Sequence, residues 1–183
     1  VDGPEIGRRE RAMAVALGAR YPGDAGVVAA LLLNFITLAP GEGLFLGAGN
    51  LHAYLQGTAV EIMANSDNVL RGGLTPKHID VETLLAVVDV APICPDVQCP
   101  ARIDGVTTYD TPVPDFSLQR IEVDGTRSIA GGPAILLCTD GVIDIGTQVI
   151  DRGAAAWISA EESTIELSGQ GAIFRAAVGA LNT

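Results

Sequence analysis

PGEGLFLGAGNLHAYLQGTAVEIMANSDNVLRGGLTPKH, residues Pro40 to His78, decides how the whole chain is read. Gly41, Gly43, Gly47, Gly49 and Gly57 punctuate short apolar runs, a pattern of tight turns between strands and not of a long helix. Strands are expected at Leu44–Leu46, His52–Leu55 and Thr58–Met63, preceded by one at Asn34–Leu38. In the run to Met63, Val60, Ile62 and Ala64 alternate with Glu61 and Met63, so Glu61 should point away from the face that carries Val60 and Ile62. Short strands joined by glycine turns suggest a small β-barrel or sandwich. The same stretch concentrates the chain's chemistry: both histidines, His52 and His78, together with Arg71 and Lys77.

Composition narrows the function classes. Of 183 residues 48% are hydrophobic, enough to bury a core for one large domain or two small ones. Eleven Lys+Arg against 22 Asp+Glu leave a formal charge of −11, and a field of that sign repels polyanions. Nucleic acid and membrane are therefore not expected as partners, whereas a phosphorylated small molecule fits if the few cations are focused in one place. No apolar run approaches the ~18 residues that span a bilayer and no leader pattern opens the chain, so it reads as soluble and cytoplasmic. Three cysteines without a regular framework argue against a disulfide-stapled secreted fold. The chain opens at Val1 without an initiator Met, which fits a cropped or processed product.

Outward from the central stretch, Arg8–Arg20 is rich in Ala and Arg and reads as a helix. Asp24 is a candidate N-cap for a second helix with Val27, Val28, Leu31 and Leu32 on one face. Asp80 is a candidate cap for a third, lined by Leu84, Leu85 and Val88. Residues 91–115 hold Pro92, Pro95, Pro100, Pro112 and Pro114 and read as an extended connector and domain boundary. Cys94 and Cys99 lie there without the further pair a zinc clip needs, and read as reduced thiols. Beyond Phe116 the chain is strand and turn, with Asp140-Gly141 as a hairpin signal. Shifted by 112 residues, PGEGLFLGAGNLHAYLQGTAVEIMA lies over RGAAAWISAEESTIELSGQGAIFRA without a gap; Leu55 meets Leu167 and Gly57 meets Gly169. Two similar β-modules are expected. The second has Thr164 at the position of His52 and Ile173 at that of Glu61, so it should be structural.

Residue by residue, the chemistry has competing readings. His52 after a Gly-Asn turn can project into a barrel mouth as a zinc ligand, although on spacing alone a hydrogen-bonded core histidine is the commoner outcome. Glu61 within an apolar run is costly to bury unpaired, so it faces solvent or has a partner. Arg71 stands beside Gly72-Gly73, where the backbone is clear of side chains and the guanidinium can reach a phosphate or an enediolate oxygen. For Asp67, Arg71 and Lys77 the plainer reading is a surface loop with ordinary ion pairs.

The strings GNLHAYLQG (Gly49 to Gly57) and EIMANSDNVLRGGLTPKH (Glu61 to His78) resemble the type I phosphomannose isomerases, zinc-dependent enzymes of the cupin superfamily that interconvert mannose 6-phosphate and fructose 6-phosphate. The upstream VVAALLLN and the second β-module carry the resemblance more loosely over nearly the whole chain. One departure is Gly47, where many members have Pro. The resemblance implies a mainly β fold of cupin-type β-barrel or jelly-roll modules, one partial and catalytic and one C-terminal, with a short helical segment at the N-terminus. On this reading residues 1–34 end a helical domain, 35–90 form the last part of the catalytic cupin, 91–115 link, and 116–183 form a C-terminal cupin-like domain without metal ligands. It also implies that His52 is a zinc ligand, that Arg71 is the active-site arginine with Glu61 and Asp67 as catalytic carboxylates, and that Lys77 lines the same pocket and binds substrate with Arg71. Family members take their other zinc ligands from a Gln-x-His string and a Glu in a preceding half, and no Gln-x-His occurs here. The polypeptide is accordingly expected to be a C-terminal portion of such an enzyme, with zinc absent or weak in this chain alone and exposed strand edges prone to self-association. The competing reading is a non-enzymatic cupin that binds sugar or serves as a structural module.

Overall fold

The computed structural model describes residues 7–66 and 68–179. The chain folds into two compact units, one of Val1–Ala39, Leu46–Gly57 and Ser66–Asp96, the other of Pro40–Phe45, Thr58–Asn65 and Val97–Thr183.

In the second unit β1 (Gly43–Leu44) pairs antiparallel with β2 (Val97–Gln98). The main sheet contains β3 (Arg102–Ile103), β4 (Val106–Tyr109), β5 (Ser117–Ala130), β6 (Ala134–Asp144), β7 (Val149–Asp151), β8 (Ala155–Ile158) and β9 (Thr164–Ala177). Its order is β3-β4-β5-β9-β6-β7, with β8 also on β6, and every pair is antiparallel. The last strand in chain order is therefore the central one. β5 pairs with β9 from Ser117↔Ala177 to Ala130↔Thr164, and β6 pairs with its other edge from Ala134↔Ala177 to Asp144↔Ser168.

Period-two alternation explains the strand assignment. In β9, Ile165 and Leu167 are buried while Glu166 is exposed, and in β6 Ala134, Leu136 and Cys138 are buried in turn. Ile121, Leu136, Ile143, Ile150, Leu167 and Ile173 are each less than 2% exposed except Ile150 at 2%, and together they form the centre of the core. Full burial of each such side chain stabilises the fold by about 1.5–3 kcal/mol.

Asp140-Gly141, expected to turn a hairpin, instead lies inside β6. The ladder runs Cys138↔Ile173 and then Asp140↔Ala172, so Thr139 is an extra residue, and its hydroxyl donates to the Ala172 carbonyl at 3.2 Å. This is a β-bulge. Gly141 has φ +72°, and a Cβ there would stand 1.9 Å from the Gln170 carbonyl oxygen. The same positive φ that suits a turn suits a bulge, and the long partner β9 keeps the strand running. The turn comes later, where Ile145 N donates to the Gln148 carbonyl at 3.0 Å.

Two further expectations about elements are corrected. The proline-dense stretch carries β2, β3 and β4, with its five prolines all outside the strands, where their missing N–H removes no ladder bond. The two repeat copies also differ: the second forms β8 and β9, whereas Asn34–Leu38, His52–Leu55 and Thr58–Met63 form no strand among the described residues. Leu167 is fully buried and its counterpart Leu55 is 43% exposed. β9 has a strand on each edge, and no strand pairs with 58–64 among the described residues; a strand needs partners for its backbone groups. The mainly β, antiparallel, cupin-type character of the chain thus resides in the second unit.

The first unit is helical and irregular. α1 (Arg8–Arg20) forms as expected. The second helix is two short pieces, α2 (Gly26–Ala29) and a 3₁₀ turn at Ala30–Leu32. Its N-cap is Ala25 and not Asp24, which stands one residue earlier and divides its carboxylate between the N–H of Gly26, the first residue of α2, and that of Leu74. α3 (Val81–Val87) begins at Asp80 as expected: Thr83 N and Thr83 Oγ1 donate to the two carboxylate oxygens at 3.0 and 2.7 Å. No helix among the described residues is long and apolar enough to cross a membrane.

Candidate functional site

His52, Arg71 and Lys77 all lie in the first unit, and Glu61 lies in the second. Asp67 lies outside the described residues.

His52 follows a tight turn held by its neighbour. Asn50 Nδ2 donates to the carbonyls of Gly47 and Ala48 at 3.2 and 3.4 Å, and the Gly49 carbonyl accepts from Asp89 N at 3.0 Å just beyond α3. The imidazole is exposed and not in a core, which corrects the plainer expectation for this residue. Its Nδ1 lies 3.0 Å from the Asn50 carbonyl. A carbonyl can only accept, so this contact calls for a proton on Nδ1. Tyr54 meets the imidazole edge to face, with centroids 6.1 Å apart.

Arg71 is exposed and, among the described residues, makes no ion pair, so its guanidinium is open to an anionic ligand. The backbone after it is tightly held. A Cβ on Gly72 would stand 2.7 Å from Leu51 Cδ2, so this segment rests against the residue that precedes His52. Gly73 approaches Gly26 so closely that its Cβ would lie 2.9 Å from the Gly26 Cα. Leu74 takes φ +54°, a left-handed conformation unfavourable to a side chain, and its N–H donates to Asp24 Oδ2 at 2.8 Å. Asp24 Oδ1 accepts from Gly26 N at 2.7 Å. The segment closes with Lys77, exposed, whose backbone N–H donates to Thr75 Oγ1 at 3.2 Å.

Nearby, the Asp80 carboxyl is held below the ordinary carboxylate range, first by the Thr83 N–H and then by its hydroxyl, with a smaller contribution from the charge of His78. Glu61 is exposed while Val60 and Ile62 are half-buried, so the alternation of that run survives without a strand. The role of Asp24 was not legible in the sequence. Its local signal, an Asp two residues before a Gly, fits both a helix cap and the observed anchor, and its partner Leu74 is 50 residues away.

The donors present do not by themselves make a zinc site: no three His, Cys, Asp or Glu side chains converge among the described residues. His52 is a single donor, and a zinc ion needs at least three protein donors.

The first unit thus holds an exposed imidazole and an exposed arginine, and the second is a mainly antiparallel β unit of cupin-like type. No family model matches the chain. The chain is 42% identical over 163 residues to the mannose-6-phosphate isomerase of Salmonella typhimurium, a match that covers 85% of this chain and 42% of that protein. It is 39% identical over 160 residues to the human mannose-6-phosphate isomerase, covering 79% and 38%. Among solved structures, the apo form of the Salmonella typhimurium enzyme matches with TM-score 0.78 and 37% identity over 98% of this chain and 47% of that one. The same enzyme bound to fructose 6-phosphate and zinc matches with TM-score 0.74 and 36% identity, over 98% and 52%. The chain is homologous to the mannose-6-phosphate isomerases and spans about two fifths of the length of the curated relatives it matches.

Proposed function

We propose that the protein carrying this chain interconverts mannose 6-phosphate and fructose 6-phosphate. The observation that carries the reading is the alignment of 98% of the chain with a homologue solved with fructose 6-phosphate and zinc. In the forward direction the aldose loses its C2 proton to a base while its carbonyl oxygen O1 takes up a proton, and a cis-enediol forms. A proton is delivered to C1, and the hydroxyl proton on O2 leaves as the ketone forms; no oxidant or reductant is consumed. Arg71 stabilises the enediolate charge or holds the phosphate, and Lys77 adds a second cation for substrate. Glu61 and Asp67 are the carboxylates this chain offers for proton transfer. Zinc belongs to the whole protein in this reading, with His52 Nε2 as the donor from this chain. The same reading places the protein in the cytoplasm and divides the chain at 1–34, 35–90, 91–115 and 116–183 as set out above. It includes self-association through exposed strand edges, which light scattering on the purified protein tests.

The test is isomerase activity and zinc content of the full protein and of its His52→Ala and Arg71→Ala variants. The expected result is turnover in the parent, loss of zinc in His52→Ala and retained zinc with a large loss of turnover in Arg71→Ala. A protein that binds fructose 6-phosphate and never isomerises it would replace this reading with the non-enzymatic sugar-binding module.

A further inference from the structure

Arg71 stands at the start of a segment whose backbone is held in an unfavourable shape from two sides. Gly72 lies against Leu51, and Gly73 lies against Gly26 with no room for a side chain on either partner: a Cβ on Gly26 would meet Asp24 Oδ1 at 2.9 Å and Leu74 N at 3.1 Å. Gly26 is buried, and Leu74 sits at φ +54°. A non-glycine residue in that region costs free energy and persists only when its surroundings over-determine it. The group that does so is the half-buried Asp24 carboxylate, which spends one oxygen on Gly26 N at 2.7 Å and the other on Leu74 N at 2.8 Å. Both bonds are charge-assisted and short, and they join two stretches of chain 50 residues apart in sequence.

We infer that Asp24 is a positioning residue for Arg71: its carboxylate clamps the Gly72–Leu74 backbone onto the Gly26 turn and so fixes where the guanidinium is presented. The inference rests on the proposed isomerase reading for the meaning of Arg71, and on the geometry alone for the clamp. Aspartate is suited to it because both oxygens accept. An asparagine would present one acceptor and turn an N–H₂ group toward the second backbone N–H. The second bond holds Leu74 in its left-handed conformation, so losing it releases the Gly72–Leu74 segment that directly follows Arg71.

The experiment is isomerase kinetics on the full protein for Asp24→Asn, Arg71→Ala, the double variant, and Asp24→Asn combined with Leu74→Gly. Asp24→Asn should lower kcat by ~10–100-fold, the scale of a roughly 1 Å misplacement of a catalytic group. That loss should vanish in the Arg71→Ala background, because a clamp has nothing left to position. Leu74→Gly removes the strain the clamp opposes and should restore part of the activity of Asp24→Asn. A loss that multiplies unchanged with that of Arg71→Ala, or a fully active Asp24→Asn, overturns the inference while leaving the isomerase reading intact. If instead Arg71→Ala itself is fully active, the isomerase reading of Arg71 fails. For Asp24→Asn variants that do not fold, amide exchange in the unmodified protein decides: the Leu74 amide should be protected, and exchange at the rate of an open loop overturns the clamp.

Discussion

Gly141→Ala should unfold the main sheet's bulge, and its cost can be worked from the structure. The residue has φ +72°, and a left-handed alanine costs about 1–2 kcal/mol. The added methyl would also stand 1.9 Å from the Gln170 carbonyl oxygen and 2.7 Å from the Gly171 Cα, backbone atoms that cannot rotate away. Moving β6 off β9 to admit it adds an overpacking cost of about 1–3 kcal/mol, for a sum of about 2–5 kcal/mol. Gly146→Ala is the control. Its φ is +83°, but nothing lies within 4 Å of the new Cβ, so only the backbone cost of about 1–2 kcal/mol applies. Far-UV circular dichroism follows the sheet during urea unfolding and is the readout, because Trp157, the chain's one tryptophan, is already 66% exposed when folded. With a urea slope of about 2 kcal/mol per molar, the midpoint should fall by about 1–2.5 M for Gly141→Ala and by about 0.5–1 M for Gly146→Ala. A Gly141→Ala midpoint no lower than that of the control would show that the close approach to β9 is not what selects glycine, and the bulge argument would be wrong.

Other outcomes follow from the same core and its surface. Leu167→Ala should cost about 2–5 kcal/mol, whereas Leu55→Ala, at the equivalent repeat position but 43% exposed, should cost under about 1 kcal/mol; equal losses in urea titrations would mean the two copies are packed alike. Glu122 is paired with Arg120 at 2.7 Å and with Arg102, and the Arg120 hydrogen bond is the main cause of a carboxyl held below its ordinary range. A depressed folded pKa gives stability that is present above the unfolded value and lost as pH falls through the folded one. Glu122→Gln should therefore flatten the acid limb of the stability profile by no more than about 1 kcal/mol, the side chain being 35% exposed, and parallel acid limbs would count against it. Burial pushes the Cys138 thiol up, while Cys94 and Cys99 are exposed, so a thiol reagent should titrate two groups in the native chain and the third only on unfolding. Prompt reaction of all three would show that the core around Cys138 opens.

What the sequence revealed depended on how far away the deciding partner sits. The Asp80 cap was legible because its partner, Thr83, is three residues on and the chemistry is local. Asp140-Gly141 was misread because a glycine with positive φ serves turn and bulge equally, and only β9, about thirty residues later in the chain, decides between them. The two stretches related by a shift of 112 residues share a pattern but not a fold: Leu55 and Leu167 have opposite fates because strands exist only where neighbours pair with them. At the candidate site, residue type was legible and environment was not. His52 stands out after its Gly-Asn turn, but its exposure and its contact with the Asn50 carbonyl depend on how the turn packs, which no local pattern encodes. Asp24 could be seen only as a cap, since no local pattern announces a partner 50 residues downstream.

The position of β9 governs how the sheet can be made on the ribosome. As the nascent chain emerges, β3, β4 and β5 can join in sequence, and β6 can collect β7 and β8, but β5 and β6 are not neighbours. Each of these half-sheets waits with one long unpaired edge until residues 164–177 appear and close both at once. Through that interval the edges are open to strand addition from any other newly made chain. Speed of translation across the last strand, and the availability of a chaperone to shield β5 and β6 until it arrives, should therefore govern yield in the cell more strongly than changes anywhere in the helical unit.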